Sequence, residues 1–418
     1  MHKSVCILRS VFGKNDQIDR YCFEVAMDYQ SLISDCVRRI PPSGIRKYFD
    51  LLDDSHISLG VGEPDFPTPD RIRKYVAERL KTERVPYSSN SGDPHLRELI
   101  LRFLAEKYDI KGYDSIENVL ITVGASQAID LAMRSILNPG DEVIYHEPCY
   151  VSYAPAIELA GGKAVGVLTR HEEKFRLSAE AVKAAITPKT RAILIAFPTN
   201  PTGAIMEKSD LEAIADVVRG TDILVITDEI YAELTFNGKH HVSFAALPGM
   251  RERTIVLNGF SKAFSMTGWR LGYAVGPAEI IAAMRKVHQL MMLCAPTPAQ
   301  WAGIAALEQG FADDFADTRY MIDEYESRRR YIIDAFNSYG LECNEPEGAF
   351  YVFPSIRSTG MMSEPFCDGL LAGKKVVTVP GSAFGAAGEG HIRCCYATSM
   401  EHIEEAMRRI GEYLKEIR

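Results

Sequence analysis

Asp228, Lys262 and Arg270 stand where their side chains could do chemistry. Asp228 ends an apolar run, so its carboxylate should lie at the end of a buried strand, where an uncompensated charge is costly and a cationic partner is needed. Lys262 follows another such run, and burial together with a nearby cation would lower the pKa of its amine and make it a nucleophile. Arg270 could supply that cation and a planar fork for a phosphate. These residue types indicate a site for an anionic, electrophilic ligand.

Gly124-Ala125-Ser126 is a second motif that could hold an anion. The glycine permits a tight turn after a predicted strand, and the helix behind it would present the unpaired N–H groups of Ala125 and Ser126 with a partial positive charge. Taken alone, such a turn often only caps a helix, and each of the other three residues also has a purely structural interpretation.

Residues behind further strands complete one ligand-binding pattern. Asn200 follows one strand, and Tyr231, three residues beyond Asp228, could reach the same ligand. Together these groups would suit one ligand with four features. The features are an anionic group, a protonated ring nitrogen that pairs with Asp228, a phenolic oxygen that lies near Tyr231 and Asn200, and an aldehyde that reacts with Lys262. Pyridoxal phosphate carries all four features. The pattern therefore predicts pyridoxal phosphate as the cofactor, and the sequence shows no spacing that predicts a metal site.

The chain between residues 119 and 275 alternates short β-branched runs with helical patterns, which predicts βαβ units around a buried, mainly parallel sheet. Apolar spacing predicts core-facing helices over Gln127–Leu137 and Lys208–Arg219. Ligands of open α/β sheets bind outside the carboxyl ends of the strands, where the candidate residues stand. The predicted strands are Val119–Val123, Val143–His146, Ala192–Phe197, Ile223–Thr227, Thr254–Asn258 and Leu271–Val275.

The pattern changes after Pro296. Helical stretches over Ala299–Leu307 and Phe311–Phe336 precede short strands over Phe350–Phe353 and His391–Tyr396, which predicts a second, smaller α+β domain. The predicted division of the chain is an N-terminal extension of unknown role (1–32), a small domain (33–70 with 297–418) and a large α/β domain that binds the cofactor (71–296).

Composition and charge exclude several classes of protein. The chain has 418 residues, 46% of them hydrophobic and 25% charged, which are values of a folded globular protein rather than a disordered one. A net charge of −9 argues against nucleic acid or an anionic membrane as a partner. Apolar runs such as Ala192–Phe197 are far too short to span a membrane. Nine scattered cysteines indicate reduced thiols, and so we expect a cytoplasmic protein.

The segment Gly259–Gly272 (GFSKAFSMTGWRLG) carries a resemblance to a known family. It fits, at each defined position, the cofactor-attachment signature of the class I aminotransferases, which are fold-type-I enzymes that use pyridoxal phosphate. The chain most resembles the subgroup of prokaryotic aspartate and aromatic amino acid aminotransferases, from about Ser34 through Gly60–Phe66 to the last helix. The resemblance implies an α/β fold, with a large domain built on a mainly parallel seven-stranded sheet flanked by helices and a smaller α+β domain.

The resemblance implies a role for each candidate residue. Lys262 would bind the cofactor aldehyde and later move the proton between the substrate Cα and the cofactor, while Asp228 would keep the pyridine nitrogen protonated. Tyr231 and Asn200 would hydrogen-bond the phenolic oxygen, and Tyr150 would stack on the ring. The contacts at the phosphate end would come from Gly124, Ala125, Ser126, Ser261 and Arg270.

The resemblance also implies substrate contacts and a homodimer. Arg393, in the predicted strand His391–Tyr396, would bind the substrate α-carboxylate and orient the amino group, with Gly62 and Asn200 completing the pocket. In the family, a tyrosine of the partner subunit reaches the cofactor phosphate, and Tyr87 fits that position. The expected partners are therefore an amino acid, a 2-oxo acid and a second copy of the chain.

Ser126 bears on the choice of substrate. Bacterial aspartate aminotransferases of this subgroup often carry lysine here, where it meets the distal carboxylate of the substrate. Loss of that cation removes a charge-assisted contact worth about 1.5–3 kcal/mol. The stretches Ser43–Asp50 and Val379–Gly385 also look more like the aromatic enzymes. We expect a ping-pong transamination from an aromatic L-amino acid or aspartate, with aromatic donors favoured, to 2-oxoglutarate.

Three other functions compete with a transaminase. The first is a β-eliminating lyase or decarboxylase of the same fold. Sequence alone distinguishes it poorly from a transaminase, because pocket geometry decides the outcome of the reaction. A non-catalytic regulator that binds pyridoxal phosphate would need a DNA-binding domain, and the first 32 or so residues are too few and lack a basic helix-turn-helix pattern. A serine hydrolase is disfavoured because Gly259–Ala263 only approximates the G-x-S-x-G elbow.

Overall fold

The computed structural model describes residues 27–42, 44–49, 53 and 55–418. Most of its strands coincide with short apolar runs of the sequence. In chain order the strands are β1 (Ile57–Ser58), β2 (Val119–Thr122), β3 (Glu142–Glu147), β4 (Lys163–Leu168), β5 (Thr190–Ala196), β6 (Leu224–Asp228), β7 (Thr254–Gly259), β8 (Gly272–Val275), β9 (Tyr351–Val352), β10 (Val376–Val377), β11 (Val379–Pro380) and β12 (Ile392–Cys395).

The helices begin where the sequence offers caps. Asp93 accepts a hydrogen bond from the N–H of His95 at 2.9 Å, just before a proline at the first helical position, and Ser399 accepts one from His402. The α-helices are Tyr29–Leu32, Asp35–Arg39, Arg46–Phe49, Asp70–Thr82, Pro94–Tyr108, Gly124–Ile136, Tyr153–Leu159, Ala179–Ala185, Lys208–Val218, Ala278–Met291, Thr297–Asp313, Ala316–Ser338, Ser363–Lys374 and Met400–Ile417.

The largest sheet has seven strands in the order β2-β8-β7-β6-β5-β3-β4. Strand β8 runs antiparallel to both of its neighbours, and the remaining six strands all point in one direction. The prediction of an α/β fold around a mainly parallel seven-stranded sheet is therefore confirmed. Strands β2, β7 and β8 are buried along their whole length, which explains why they read as continuous apolar runs.

Strand β4 is the one strand of this sheet that the pattern of apolar runs does not show. It lies at the edge of the sheet, and most of its six residues are exposed or only half-buried. An edge strand needs no continuous apolar run, and Gly166 interrupts it further.

A smaller three-stranded sheet, in the order β11-β12-β9, lies in the C-terminal third of the chain, and a separate parallel pair joins β1, from the N-terminal part, to β10. The core next to it combines aliphatic side chains with several aromatic ones, among them Tyr325, Phe336, Phe350 and Tyr396. The prediction of one helix over Phe311–Phe336 is wrong in its first turn, because the chain turns through left-handed backbone at 314 and 315 between two helices. The ring of Phe315 is buried in the core, and its backbone N–H donates a hydrogen bond to the carbonyl of Gly310.

Residues 42–418 form one compact unit, and the described residues before them belong to a separate one that carries two short helices. The first 26 residues of the predicted extension lie outside the described part of the chain. The division into a small and a large domain stays a prediction. Among the described residues, no helix is both long enough and apolar enough to cross a bilayer.

The strand directions bring the predicted chemistry to one edge of the large sheet. The six parallel strands all end at this edge, and β8 begins there because it runs the other way. Gly272, the first residue of β8, packs directly on the start of the helix Gly124–Ile136. A Cβ atom at Gly272 would lie 2.5 Å from the backbone nitrogen of Ala125. This close approach sets the position of the helix N-terminus at the edge of the sheet.

We predict that Gly272→Ala lowers the free energy of unfolding by about 1–3 kcal/mol, because the added methyl group must displace backbone. Urea denaturation followed by circular dichroism measures it. Gly373→Ala is the matched control, since a Cβ atom there meets nothing within 4 Å and the residue lies in a helix. Equal stability of Gly272→Ala and the wild type would contradict the packing described here.

Candidate active site

A cavity of about 620 Å³ opens at the carboxyl edge of the large sheet. It brings together eleven of the thirteen residues singled out from the sequence. Of the other two, Gly124 lies directly behind the wall, and Tyr87 is 81% exposed and lies outside the cavity. The predicted residues that line the cavity are Gly62, Ala125, Ser126, Tyr150, Asn200, Asp228, Tyr231, Ser261, Lys262, Arg270 and Arg393.

Lys262 follows β7 and extends into the cavity. Its Nζ donates a hydrogen bond to the carbonyl oxygen of Gly62 at 2.7 Å and lies near the rings of Tyr231 and Phe350. Burial lowers the pKa of the amine to about 8, and the positive charge of Arg393 acts in the same direction. A large fraction of this amine is therefore neutral at mildly alkaline pH, as a nucleophile must be.

Asp228 ends β6 and is 5% exposed. Its Oδ2 accepts a hydrogen bond from the hydroxyl of Tyr153 at 2.9 Å, and its Oδ1 accepts one from the N–H of Ile230 at 3.1 Å. Burial raises the pKa of the carboxyl to about 6, and these two donors only partly offset it. Among the described residues, no cationic side chain forms a salt bridge with this carboxylate, although it faces the cavity.

Arg270 and the start of the helix Gly124–Ile136 form one end of the cavity. Arg270 has left-handed backbone, with φ 54°, and its Nη1 donates to the carbonyl of Thr267 at 3.1 Å. A Cβ atom at Gly124 would lie 2.6 Å from its Nη2, so only glycine lets the guanidinium approach the helix N-terminus so closely. A guanidinium and a helix N-terminus at one place suit an anion.

Arg393 lies on β12 and is 2% exposed. Its Nη1 donates to Oδ1 of Asn200 at 3.0 Å, and its Nη2 donates to the carbonyl of Gly60. The guanidinium carbon lies 4.7 Å from the ring centroid of Tyr351 and 5.0 Å from that of Phe384. The group is thus held on several sides while it lines the cavity, and its Nε is buried without a hydrogen-bond partner among the described residues.

The tyrosines of the cavity wall are paired. The hydroxyls of Tyr231 and Tyr351 lie 2.8 Å apart, and the rings of Tyr150 and Tyr153 meet edge to face with centroids 5.6 Å apart. Burial raises the pKa of Tyr231 well above its usual range, so this hydroxyl stays protonated.

Sequence reasoning missed three residues of this site: Tyr153, Tyr351 and Phe384. Tyr153 stands six residues behind the end of β3, a strand end like those that carry the other candidates, and this position could have identified it. The other two contact the site through the packing of the small sheet, for which the sequence offers no local signal.

Comparison with known proteins agrees with this geometry. A sequence profile of the family "Aminotransferase class I and II" matches residues 54–410. The chain is 43% identical to an aspartate aminotransferase of Pyrococcus abyssi over 92% of this chain and 98% of that protein. It is equally identical, with the same coverage, to the aromatic-amino-acid aminotransferase 2 of Thermococcus litoralis. The crystal structure of an aromatic aminotransferase from Pyrococcus horikoshii matches with a TM-score of 0.84 and 43% identity, over 89% of this chain and 99% of that one.

The chain belongs to the class I and II aminotransferases. It is a pyridoxal-phosphate-dependent transaminase, as the sequence predicted, and its relatives include both aspartate and aromatic aminotransferases. The site fits the cofactor on independent grounds. Asp228 is a buried carboxylate that forms no salt bridge with any described residue, Arg270 and a helix N-terminus offer an anion site, and Lys262 offers an amine of low pKa.

We predict that the amine of Lys262 in the cofactor-free protein titrates near pH 8, below the ordinary lysine value of 10.5, because burial disfavours its charged form. Competitive acetylation at a series of pH values, read by peptide mass spectrometry, gives the midpoint. The amine reacts when neutral, so its labelling should rise between about pH 7 and 9. A midpoint at or above pH 10 would show that the amine is solvated and would contradict the described burial.

Proposed function

We propose that this transaminase transfers the amino group of an aromatic L-amino acid to 2-oxoglutarate by a ping-pong reaction in the cavity described above. The observation that carries the proposal is that one cavity holds the part-buried Lys262 and the buried Asp228 and Arg393, three ionisable groups that each contact different partners. They correspond to the three tasks of the reaction: proton transfer, cofactor binding and substrate binding.

Lys262 moves the proton in this proposal. Its Nζ is held by the carbonyl of Gly62 and lies near the rings of Tyr231 and Phe350. With a pKa of about 8 the amine can both release and accept a proton near neutral pH. When bound, pyridoxal phosphate supplies the electron-withdrawing ring that stabilises negative charge on the substrate.

Asp228, Asn200 and the tyrosines would hold the cofactor ring. Asp228 places its negative charge where a protonated ring nitrogen can lie, and Tyr153 and the backbone keep this carboxylate in one orientation. Asn200 and Tyr231 would bind the phenolic oxygen, and Tyr150 would stack on the ring face. The phosphate would lie at Ala125, Ser126, Ser261 and Arg270, with Gly124 behind them.

Arg393 would bind the substrate α-carboxylate. Its guanidinium is already oriented by Asn200, Gly60 and two aromatic rings, so little conformational freedom is lost when a carboxylate binds. Gly62 would complete this pocket, since a Cβ atom there would lie 2.4 Å from the hydroxyl of Tyr351. A fixed carboxylate aligns the amino group with the cofactor.

The charges of the cavity wall favour a donor with an uncharged side chain. Among the described residues, the cations that line it are Lys262, Arg270 and Arg393, and each already has a task in this proposal. Ser126, where a lysine would meet a second carboxylate, is exposed to the cavity, and Ile45 and Val151 add apolar surface. An aromatic ring can lie against such a wall, whereas the distal carboxylate of aspartate would lose hydration without gaining a cation.

We expect phenylalanine or tyrosine to exceed aspartate as donor by at least tenfold in kcat/KM, because the cations that line the cavity in the described part of the chain leave none for the distal carboxylate. Stopped-flow absorbance of the protein loaded with pyridoxal phosphate measures the first half-reaction with each donor. Ser126→Lys should raise kcat/KM for aspartate by about tenfold or more, since it adds a charge-assisted contact. An aspartate preference of tenfold in the wild type would contradict the proposed specificity.

The same assay distinguishes a transaminase from a β-eliminating lyase of the same fold. A β-eliminating lyase would release ammonia and a 2-oxo acid from a cysteine derivative without any amino acceptor. A transaminase stops after one half-reaction until a 2-oxo acid is added. Continuous turnover without an acceptor would therefore contradict transamination as the principal activity.

We further propose that the active unit is a homodimer in which Tyr87 reaches the cofactor site of the partner subunit. The support is an exposed apolar patch that includes this residue and is built from two segments, around residues 85–87 and 290–293. Hydrogen bonds from Thr297 to the carbonyl of Pro86, and from Asn90 to the carbonyl of Leu293, join the two segments. Large exposed apolar patches mark interfaces. The patch consists of Val85, Tyr87, Leu290, Met291, Met292 and Leu293. A cytoplasmic location stays a prediction.

Sedimentation should give twice the chain mass of 46.5 kDa for the wild type. Leu290→Asp should shift the distribution towards the single chain, because it places a charge in the proposed interface. Met362→Asp is the matched control, since Met362 is also exposed but lies outside the patch. A wild type that sediments as a single chain would contradict the dimer.

A further inference from the structure

Glu147, the last residue of β3, connects this strand to a loop that lies 239 residues further along the chain. Its Oε1 accepts a hydrogen bond from the hydroxyl of Tyr145 at 2.6 Å. Its Oε2 accepts one from the backbone N–H of Ala386 at 3.1 Å. Glu147 does not line the active-site cavity, and the proposed function assigns it no role. Its carboxylate therefore fastens the loop to the strand without contacting substrate or cofactor.

Two glycines make room for this carboxylate. A Cβ atom at Gly166, on the neighbouring strand β4, would lie 2.6 Å from Oε1 of Glu147. A Cβ atom at Gly385 would lie 2.6 Å from Oε2, and the φ of 113° at this glycine is one that other residues rarely adopt. A side chain at either position would collide with the carboxylate of Glu147, so both glycines are needed for this contact.

The fastened loop contacts the substrate side of the cavity through Phe384. The carbonyl of Phe384 accepts a hydrogen bond from the N–H of Cys149 at 3.1 Å, next to Tyr150 of the cavity wall. Its ring packs on the guanidinium of Arg393 and on the core that also contains Ile45, another residue of the cavity wall. The loop thus spans the distance between the end of the large sheet and the arginine of the small sheet.

We propose that Glu147 is a positioning residue for substrate binding. It holds residues 384–386 against the end of β3, so that Phe384 stays packed on Arg393 and the guanidinium keeps its orientation before a carboxylate binds. The inference rests on the proposed function, in which Arg393 is the carboxylate site. It adds that the affinity of this site depends on a carboxylate outside the cavity.

The test uses 3-phenylpropionate, an aromatic carboxylate that lacks an amino group, and the protein loaded with pyridoxal phosphate. Isothermal titration calorimetry should show that Glu147→Ala weakens its binding about tenfold, because the guanidinium is held less firmly. Glu147→Gln should bind within about twofold of the wild type, since the amide can still accept from Ala386 and donate to the hydroxyl of Tyr145. This rescue separates a positioning role from a requirement for the charge.

Hydrogen exchange supplies a second readout that does not depend on the substrate. The amide of Ala386 should exchange at least tenfold faster in Glu147→Ala than in the wild type and in Glu147→Gln, because its acceptor is lost. Glu142→Ala is the matched control. Glu142 lies at the opposite end of β3 and also accepts two hydrogen bonds, from Lys163 and Thr187, but it is remote from the loop. This variant should change neither readout.

The outcomes are distinct. Equal binding of 3-phenylpropionate by the wild type and a folded Glu147→Ala overturns the role of Glu147 and leaves the proposed function intact. If the wild type itself does not bind this compound, the carboxylate site at Arg393 is wrong and the inference fails with it. If Glu147→Ala does not fold, Glu147→Asp takes its place, because its shorter side chain cannot reach both partners, and the same comparison with Glu147→Gln decides.

Discussion

A buried carboxylate that forms no salt bridge within the described part of the chain is the constraint on which the active site depends. Asp228 ends a strand in the middle of the large sheet, and burial raises the pKa of its carboxyl to about 6. Tyr153 and one backbone N–H stabilise the charged form, but they do not neutralise it. The charge of Lys262 also favours the ionised carboxyl, but among the described residues no cationic side chain forms a salt bridge with it. Pyridoxal phosphate, with a ring nitrogen that takes a proton, can supply such a partner from the cavity. The remaining contacts of the site orient this ligand and the substrate around the same point.

Two separate parts of the chain build the cavity, and their relative position is a structural requirement of the chemistry. The parallel strands of the large sheet end at the same edge. Strand direction alone is therefore enough to bring Lys262 and the anion site close to Asp228. Arg393 comes from the small sheet, so its distance to Lys262 depends on contacts between the two parts. Hydrogen bonds to Asn200 and the loop around Phe384 make those contacts.

The sequence predicts what depends on local pattern and residue type, and it predicts less where packing decides. Strand ends and the attachment signature identify Lys262 and Asp228, and the buried strands are visible as apolar runs. Tyr153 stands close behind a strand end and could have been identified from that position. Phe384 is invisible to such reasoning, because its importance comes from Arg393, a partner that it meets only through the packing of the small sheet. The turn at Phe315 is missed for a similar reason, since the burial of one ring outweighs a helical pattern.

The most direct test of this account is the affinity of the cofactor-free protein for pyridoxamine phosphate, which has the ring and the phosphate but no aldehyde. Fluorescence titration at pH 8 should show that Asp228→Asn, a change that keeps the shape and removes the charge, weakens binding by about a hundredfold, the scale of a broken buried ion pair. At this pH the carboxyl of Asp228, with a pKa of about 6, is ionised in the wild type. Affinities that agree within about threefold would show that this carboxylate does not hold the ring, and they would contradict the central claim.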